Sequence, residues 1–256
     1  MRVFLPAFCV AVSLAWQTVP EPPPITVSAA VSLTDALSAI AKDYGNLGRS
    51  IRFNFGASNV LARQIVEGAP VDMFISADDA QMDVIARAGL VQDGSRVNLL
   101  VNQLAVVVPS DRPRTLSSIA QIADPAFRRI AIGDPAAVPA GVYAKQYLEK
   151  EGLWAPLQSR IVPAASVRAA LAAVESGAAD AAIVYRTDAR IALRATVAWV
   201  VPADRGPRIV YPVAIVRGSK KLDEAKRFLD FLRSSQAERT STRFGFTVIS
   251  ASATKG

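Results

Sequence analysis

Short β-branched runs alternate with helix-period stretches along almost the whole chain, and this alternation restricts the fold more than any other feature. Strand candidates fall at residues 25–29, 51–55, 72–76, 104–108, 130–132, 181–185, 197–201 and 209–216. Between them, residues 35–43, 60–67, 81–88, 144–151, 167–175 and 222–234 carry apolar side chains at helical spacing. The last helix, expected over 221–233, places Leu222, Ala225, Phe228, Leu229 and Leu232 on one face. A βαβα order of this kind predicts an α/β protein with mostly parallel sheets flanked by helices.

Two stretches read as passages between lobes. One is "NLLVNQLAVVVPSD", a long strand flowing into a proline; the other is "VVPADRGPRIVYPVAIV", two strands around a Pro/Gly turn. Two crossings make a discontinuous first lobe, residues 25–104 plus 210–256, and a continuous second lobe, 105–209. A ligand cleft is expected between them. The 256 residues, 51% of them hydrophobic, suffice for two small cores or one large one.

The chain starts "MRVFLPAFCVAVSLAWQTVPEPPP". One Arg, an apolar run too short to span a bilayer and the small-residue pattern Ser13-Leu14-Ala15 predict a signal peptide and leader over residues 1–24. An uncleaved anchor is the alternative. The single cysteine, Cys9, lies inside this segment, where Phe8 is too bulky for the usual lipoprotein pattern. The exported part then carries no thiol and no disulfide. Histidine is absent. That excludes Ser-His-Asp and Cys-His catalysis and most zinc, copper and iron sites. The formal charge is +7, without a Lys/Arg run interleaved with aromatics, so no nucleic-acid partner is expected.

The chemistry lies where strands hand over to helices. Val31-Ser32-Leu33-Thr34-Asp35 follows the first strand with the capping pattern S-x-x-[DE], and Ser58 opens the helix after the second. Ser166-Val167-Arg168 opens another. Taken singly, each serine reads as a structural N-cap. The stretch "GDPAAVPAGVYAK" differs: in its turn, before the helix starts at Pro139, nothing apart from Asp134 can act as a nucleophile, base or metal ligand. Its usable groups are backbone amides at the helix start Pro139-Ala140-Gly141. In open α/β sheets such turns sit at the carboxyl ends of strands, where ligands collect, and free N–H groups at helix starts favour anions.

The stretches "AAVSLTDAL", "FGASNVLARQIVEGAPVDMFISAD", "IGDPAAVPAGVYAK", "VRAALAAVESGAADAAIVY" and "FGF" occur in order from about Ile25 to Thr247. Through them the chain resembles the periplasmic molybdate-binding proteins of bacterial ABC transporters. The resemblance implies a two-lobed type II periplasmic binding fold closing on a tetrahedral oxyanion. Its ligand contacts would fall on Ser32, Ser58, Ala140, Val167 and Tyr185: hydroxyls from the serines and the tyrosine, backbone N–H groups from Ala140 and Val167. It also implies no catalysis, no cofactor, no direct protein ligand to a cation, and a monomer docking on a membrane permease. Asn59 and Val60 stand where more hydroxyl-bearing residues are common in the family. No carboxylate occupies the neighbourhood of Ala140 or Val167, so four-coordinate oxyanion binding is the expectation.

A cage of uncharged donors is sufficient for such a ligand. Hydrogen bonds to a charged group contribute roughly 1.5–3 kcal/mol each, so about six or seven give on the order of 10–20 kcal/mol before desolvation and closure are subtracted. Nanomolar to micromolar binding needs about 8–12 kcal/mol net. The same cage rejects hydrogen phosphate, whose proton needs an acceptor. Sulfate must be rejected on size, and molybdate and tungstate are not separated by this reasoning. Among neighbouring charges, Asp134 reads as a local backbone acceptor in its Gly-Asp-Pro turn. Asp188 reads as a cap for the helix after Tyr185, and Arg168 as an inter-helix or solvated cation. A hydrolase on this scaffold would need a serine activated by lysine or tyrosine, and no Ser-x-x-Lys stands at a helix start. A sensor module is opposed by the leader and by the lack of a DNA-binding segment. A sulfate or organic-anion binder is the near alternative.

Overall fold

The computed structural model describes residues 24 to 249. The expected leader, Cys9 included, lies outside the described residues except for Pro24, whose carbonyl accepts from Lys221 Nζ at 2.6 Å.

The first lobe opens with β1 (Ile25–Ala30), a 3-10 turn (Val31–Leu33) and α1 (Thr34–Gly45). It continues with β2 (Ile51–Gly56), α2 (Ser58–Val66), β3 (Met73–Ile75), α3 (Asp79–Arg87) and β4 (Val97–Asn102). The second lobe holds β5 (Leu104–Pro109), β6 (Ile130–Gly133), α4 (Pro139–Lys150), α5 (Trp154–Leu157) and β7 (Ile161–Ala164). There follow α6 (Val167–Glu175), β8 (Ala181–Tyr185), α7 (Arg186–Arg190) and β9 (Ala195–Val200). The chain then returns to the first lobe as β10 (Ile209–Ile215), α8 (Leu222–Leu232), α9 (Ser235–Arg243) and β11 (Thr247–Val248).

The two sheets have the orders β11-β4-β10-β3-β1-β2 and β7-β6-β8-β5-β9. Each is built on three adjacent parallel strands, β2-β1-β3 in one and β7-β6-β8 in the other. One reversed strand, β10 or β5, then pairs antiparallel on both sides. The sheets are therefore mixed in pairing although most of their strands share a direction. β10 and β5 are the strands that enter from the other lobe, and at the edge of the first sheet β11 also runs antiparallel to β4.

Strand pleating explains how one sheet serves two packed layers. Met73 and Ile75 face the main core, while Phe74 between them faces a second cluster under α2 and α3; Val213 and Ile215 alternate with Ala214 in the same way. On the main-core side, Ala225, Phe228, Leu229 and Leu232 of α8 are buried, at about 1.5–3 kcal/mol for each large side chain removed from water.

Several local expectations need correction. The run read as one strand around residues 97–109 is two strands in different sheets, meeting at Gln103 without a turn residue. Residues 161–164 form an edge strand that its Pro163 obscures in sequence, and Pro is tolerated there because an edge needs no donor on its free side. Residues 221–233 are not the last helix. The helix α9 follows, almost wholly polar, with Ala237, Thr240 and Ser241 as its buried residues. Ser32 does not cap α1: it lies inside the 3-10 turn, and no side chain caps the N-terminus of either that turn or α1.

Candidate functional site

The carboxyl ends of all six parallel strands point at one place between the lobes. From the first lobe come Ala30, Val31 and Ser32 after β1, Gly56, Ala57 and Ser58 after β2, and Ala77 after β3. From the second come Val138, Pro139 and Ala140 after β6, Val167 after β7, and Tyr185 at the end of β8. They enclose a hollow of about 20 Å³. Pockets for organic ligands run to about 300–1,000 Å³, so this one is scaled to a small ion. Ser32, Ser58, Ala140, Val167 and Tyr185, the residues singled out in sequence, all line it.

The lining offers donors. Ser58 starts α2 and Val167 starts α6, while Ala140 is the second residue of α4; N–H groups at these positions have no intrahelical acceptor. No protein acceptor lies within hydrogen-bond reach of these three amides among the described residues. Their helix ends also carry the positive pole of the backbone dipoles. Ser166 does cap α6, accepting from the Ala169 amide at 3.1 Å. That bond leaves the Val167 amide uncommitted.

The side chains behave alike. Ser58 Oγ accepts from the Ala77 N–H at 3.0 Å, which leaves its own proton to be donated. Tyr185 is 1% exposed and its hydroxyl has no protein partner. Burial raises the Tyr185 pKa well above that of free tyrosine, so the phenol stays protonated. Ser32 Oγ lies 3.0 Å from the hydroxyl of Tyr211. Sequence reasoning missed both Ala77 and Tyr211. Ala77 had a signal, since it follows a strand end in the quoted "ISAD". Tyr211 had none, being 179 positions from its partner.

The turn without reactive side chains, 133–141, acquires its purpose here. A Cβ on Gly141 would lie 1.9 Å from the Gly133 carbonyl oxygen and 2.7 Å from that of Asp134. Glycine alone lets the start of α4 sit on the end of β6, and that contact places the Ala140 amide. Asp134 accepts from the Ala136 amide at 2.9 Å and so serves the turn itself.

The cation beside the hollow is already paired. Arg168 donates from Nη2 to Asp35 at 2.7 Å and from Nε to Asp188. Burial works against the Arg168 charge, but Asp188 and Asp35 outweigh it and hold its pKa up. Asp188, in the first turn of α7, is fully buried beside Arg168. Burial pushes its carboxyl up to about 6 against the pull of Arg168. Asp78 caps α3 through the Gln81 amide, and burial raises its pKa as well. The Arg168–Asp35 pair joins α6 to α1. Among the ion pairs of the described residues it is the one that crosses between lobes. No group of three or more His, Cys, Asp or Glu residues able to hold a metal ion occurs among the described residues.

Comparison with known proteins agrees with this geometry. Residues 25–247 match the family model for bacterial extracellular solute-binding proteins. The molybdate-binding protein ModA of Escherichia coli is 39% identical over 234 residues, covering 88% of this chain and 89% of that protein. Its counterpart from Haemophilus influenzae is 37% identical over 228 residues, with 87% and 89% covered. Among solved structures, the periplasmic molybdate-binding protein of Azotobacter vinelandii superposes with a TM-score of 0.80 at 27% identity, covering 88% of this chain and 99% of that one. A donor-lined hollow between two lobes and a family match over nearly all the described residues lead to one assignment: the chain belongs to the bacterial extracellular solute-binding proteins and is not an enzyme.

Proposed function

We propose that this protein captures molybdate, and tungstate as its close analogue, in the hollow between its lobes and delivers the ion to the permease of an ABC transporter. The hydroxyls of Ser32, Ser58 and Tyr185 and the amides of Ala140 and Val167 are the contacts. The protein works as a monomer in the periplasm, exported by its N-terminal leader, and each lobe moves as a unit about the passages at Gln103 and residues 201–208.

One observation carries the reading. Uncharged donors from six strand ends converge on a space of about 20 Å³ whose neighbouring cation, Arg168, is already held by two carboxylates. A bare dianion is the ligand such a site favours. Each hydrogen bond to it contributes roughly 1.5–3 kcal/mol. An oxyanion carrying a proton finds no carboxylate among these contacts to accept it and is disfavoured. The likeness to ModA proteins selects molybdate among the bare tetrahedral dianions.

Isothermal titration of the mature protein with molybdate, tungstate, sulfate and phosphate tests the reading. Molybdate and tungstate are expected to bind at micromolar affinity or tighter, with phosphate far weaker. Tight sulfate with weak molybdate would move the protein to a sulfate-binding role, and a flat molybdate titration would end the proposal.

A further inference from the structure

A buried chain of polar groups runs from the inter-lobe passage to Ser32, and each link in it has a fixed sense. The Gln103 backbone N–H, which can only donate, reaches Asn102 Oδ1 at 2.9 Å. That contact settles which end of the Asn102 amide is which. Nδ2 then donates to Thr187 Oγ1 at 2.9 Å and to the Tyr211 hydroxyl oxygen at 3.1 Å. Tyr211 is fully buried, and burial raises its pKa, so it keeps its proton. Ser32 Oγ, 3.0 Å away, is the remaining partner for that proton. If Ser32 donated instead, the Tyr211 O–H would be left buried without an acceptor, the costlier arrangement. Tyr211 therefore donates to Ser32, and the Ser32 proton is left for the hollow.

The backbone explains how Tyr211 comes to stand there. The register between β10 and β4 shifts between Tyr211 and Pro212. The extra residue, Leu99, lies on β4 and accommodates Pro212 inside the sheet, while Tyr211 keeps the main-core face that Ile209, Val213 and Ile215 share.

We propose that Tyr211 and Asn102 are specificity-determining positioning residues. Without touching the ligand, they hold the Ser32 hydroxyl as a donor and so deny a protonated oxyanion the acceptor that Ser32 would otherwise offer. This rests on the oxyanion reading of the site. It differs from a general packing role because it concerns the direction of one hydrogen bond and predicts a change in selectivity.

The test is titration of the wild-type protein and Tyr211→Phe with molybdate, sulfate and inorganic phosphate near neutral pH, with weak ligands measured by competition. In Tyr211→Phe the Ser32 hydroxyl is free to turn and accept, so the molybdate-to-phosphate affinity ratio is expected to fall by about tenfold, the effect of relieving one unpaired buried donor. The molybdate-to-sulfate ratio stays within about twofold, since neither ion carries a proton for Ser32 to accept. In the Ser32→Ala background, adding Tyr211→Phe leaves the phosphate ratio unchanged, because the tyrosine acts only through that serine. A phosphate ratio unmoved in Tyr211→Phe, or both ratios moving together, overturns the proposal. Should Tyr211→Phe lack a cooperative melt, Asn102→Ala removes the upstream donor and must shift the phosphate ratio in the same direction, or the proposal falls. A wild-type protein that binds no oxyanion would instead overturn the reading of the site, and this proposal with it.

Discussion

Gly141→Ala is the substitution that most cleanly separates a backbone reagent from a side-chain one. It adds a methyl group to a residue that carries no functional group and leaves all three hydroxyl donors in place. The new Cβ would lie 1.9 Å from the Gly133 carbonyl oxygen, 2.4 Å from the carbonyl carbon and 2.7 Å from the Asp134 oxygen. None of these neighbours is a flexible side chain that can swing aside. Reaching even 3.0 Å requires α4 to lift from β6 by about 1 Å, which stretches an amide–ligand distance of ~2.9 Å beyond hydrogen-bond range. Losing the Ala140 bond to a charged ligand costs about 1.5–3 kcal/mol, or roughly 10- to 150-fold in affinity. The overpacking itself lowers the stability of the ligand-free protein by about 1–3 kcal/mol. Isothermal titration against molybdate and a thermal melt of the ligand-free form read the two effects separately. Gly45→Ala is the control, since a Cβ there meets nothing within 4 Å. Wild-type affinity in Gly141→Ala would refute the argument that this turn exists to place an amide.

Three further outcomes follow from the same geometry. Ser58→Ala should weaken molybdate binding by about 1.5–3 kcal/mol and lower stability besides, because the Ala77 amide loses its acceptor; unchanged titration would remove Ser58 from the site. Asp35→Asn breaks the half-exposed pair between lobes, so affinity should fall by about 0.2–1 kcal/mol, mainly through faster release, with the difference shrinking in high salt; equal release rates at low salt would count against this pair as a latch. Asp188 is an acid whose pKa is raised to about 6 in the folded protein. The folded state therefore holds its proton more tightly than the unfolded chain, and this group adds stability as pH falls from about 6 toward 4, not as it rises. Chemical denaturation across that window should show the slope in the wild type and lose it in Asp188→Asn; identical slopes would dispose of the assignment.

The βαβα order and the strand-to-helix turns were legible because each is local, while the five proposed contacts came from the resemblance to the molybdate-binding family. A strand end, a helix start and the residues between them lie within about ten positions of one another. What stayed hidden depends on distant contacts. Ser32 carries a capping pattern, yet its hydroxyl is engaged by Tyr211 across the sheet, a partner no local pattern can announce. The passage at Gln103 looks like the middle of one strand because a chain can leave one sheet for another without a turn residue. Asp188 and Arg168 each have an ordinary local reading, and only the packing of α6, α7 and α1 shows that they form one cluster. The helix α9 has no apolar stripe to betray it.

A crystal structure of the molybdate-loaded protein, with the metal located by its anomalous scattering, would show whether uncharged donors alone hold the ion. One anomalous peak is expected in the hollow, with the ion's oxygens within hydrogen-bond distance of the Ser32, Ser58 and Tyr185 hydroxyls and of the Ala140 and Val167 amides, and no carboxylate or cation among the contacts. A peak elsewhere, or an ion held by Arg168 or another charged side chain, would contradict it.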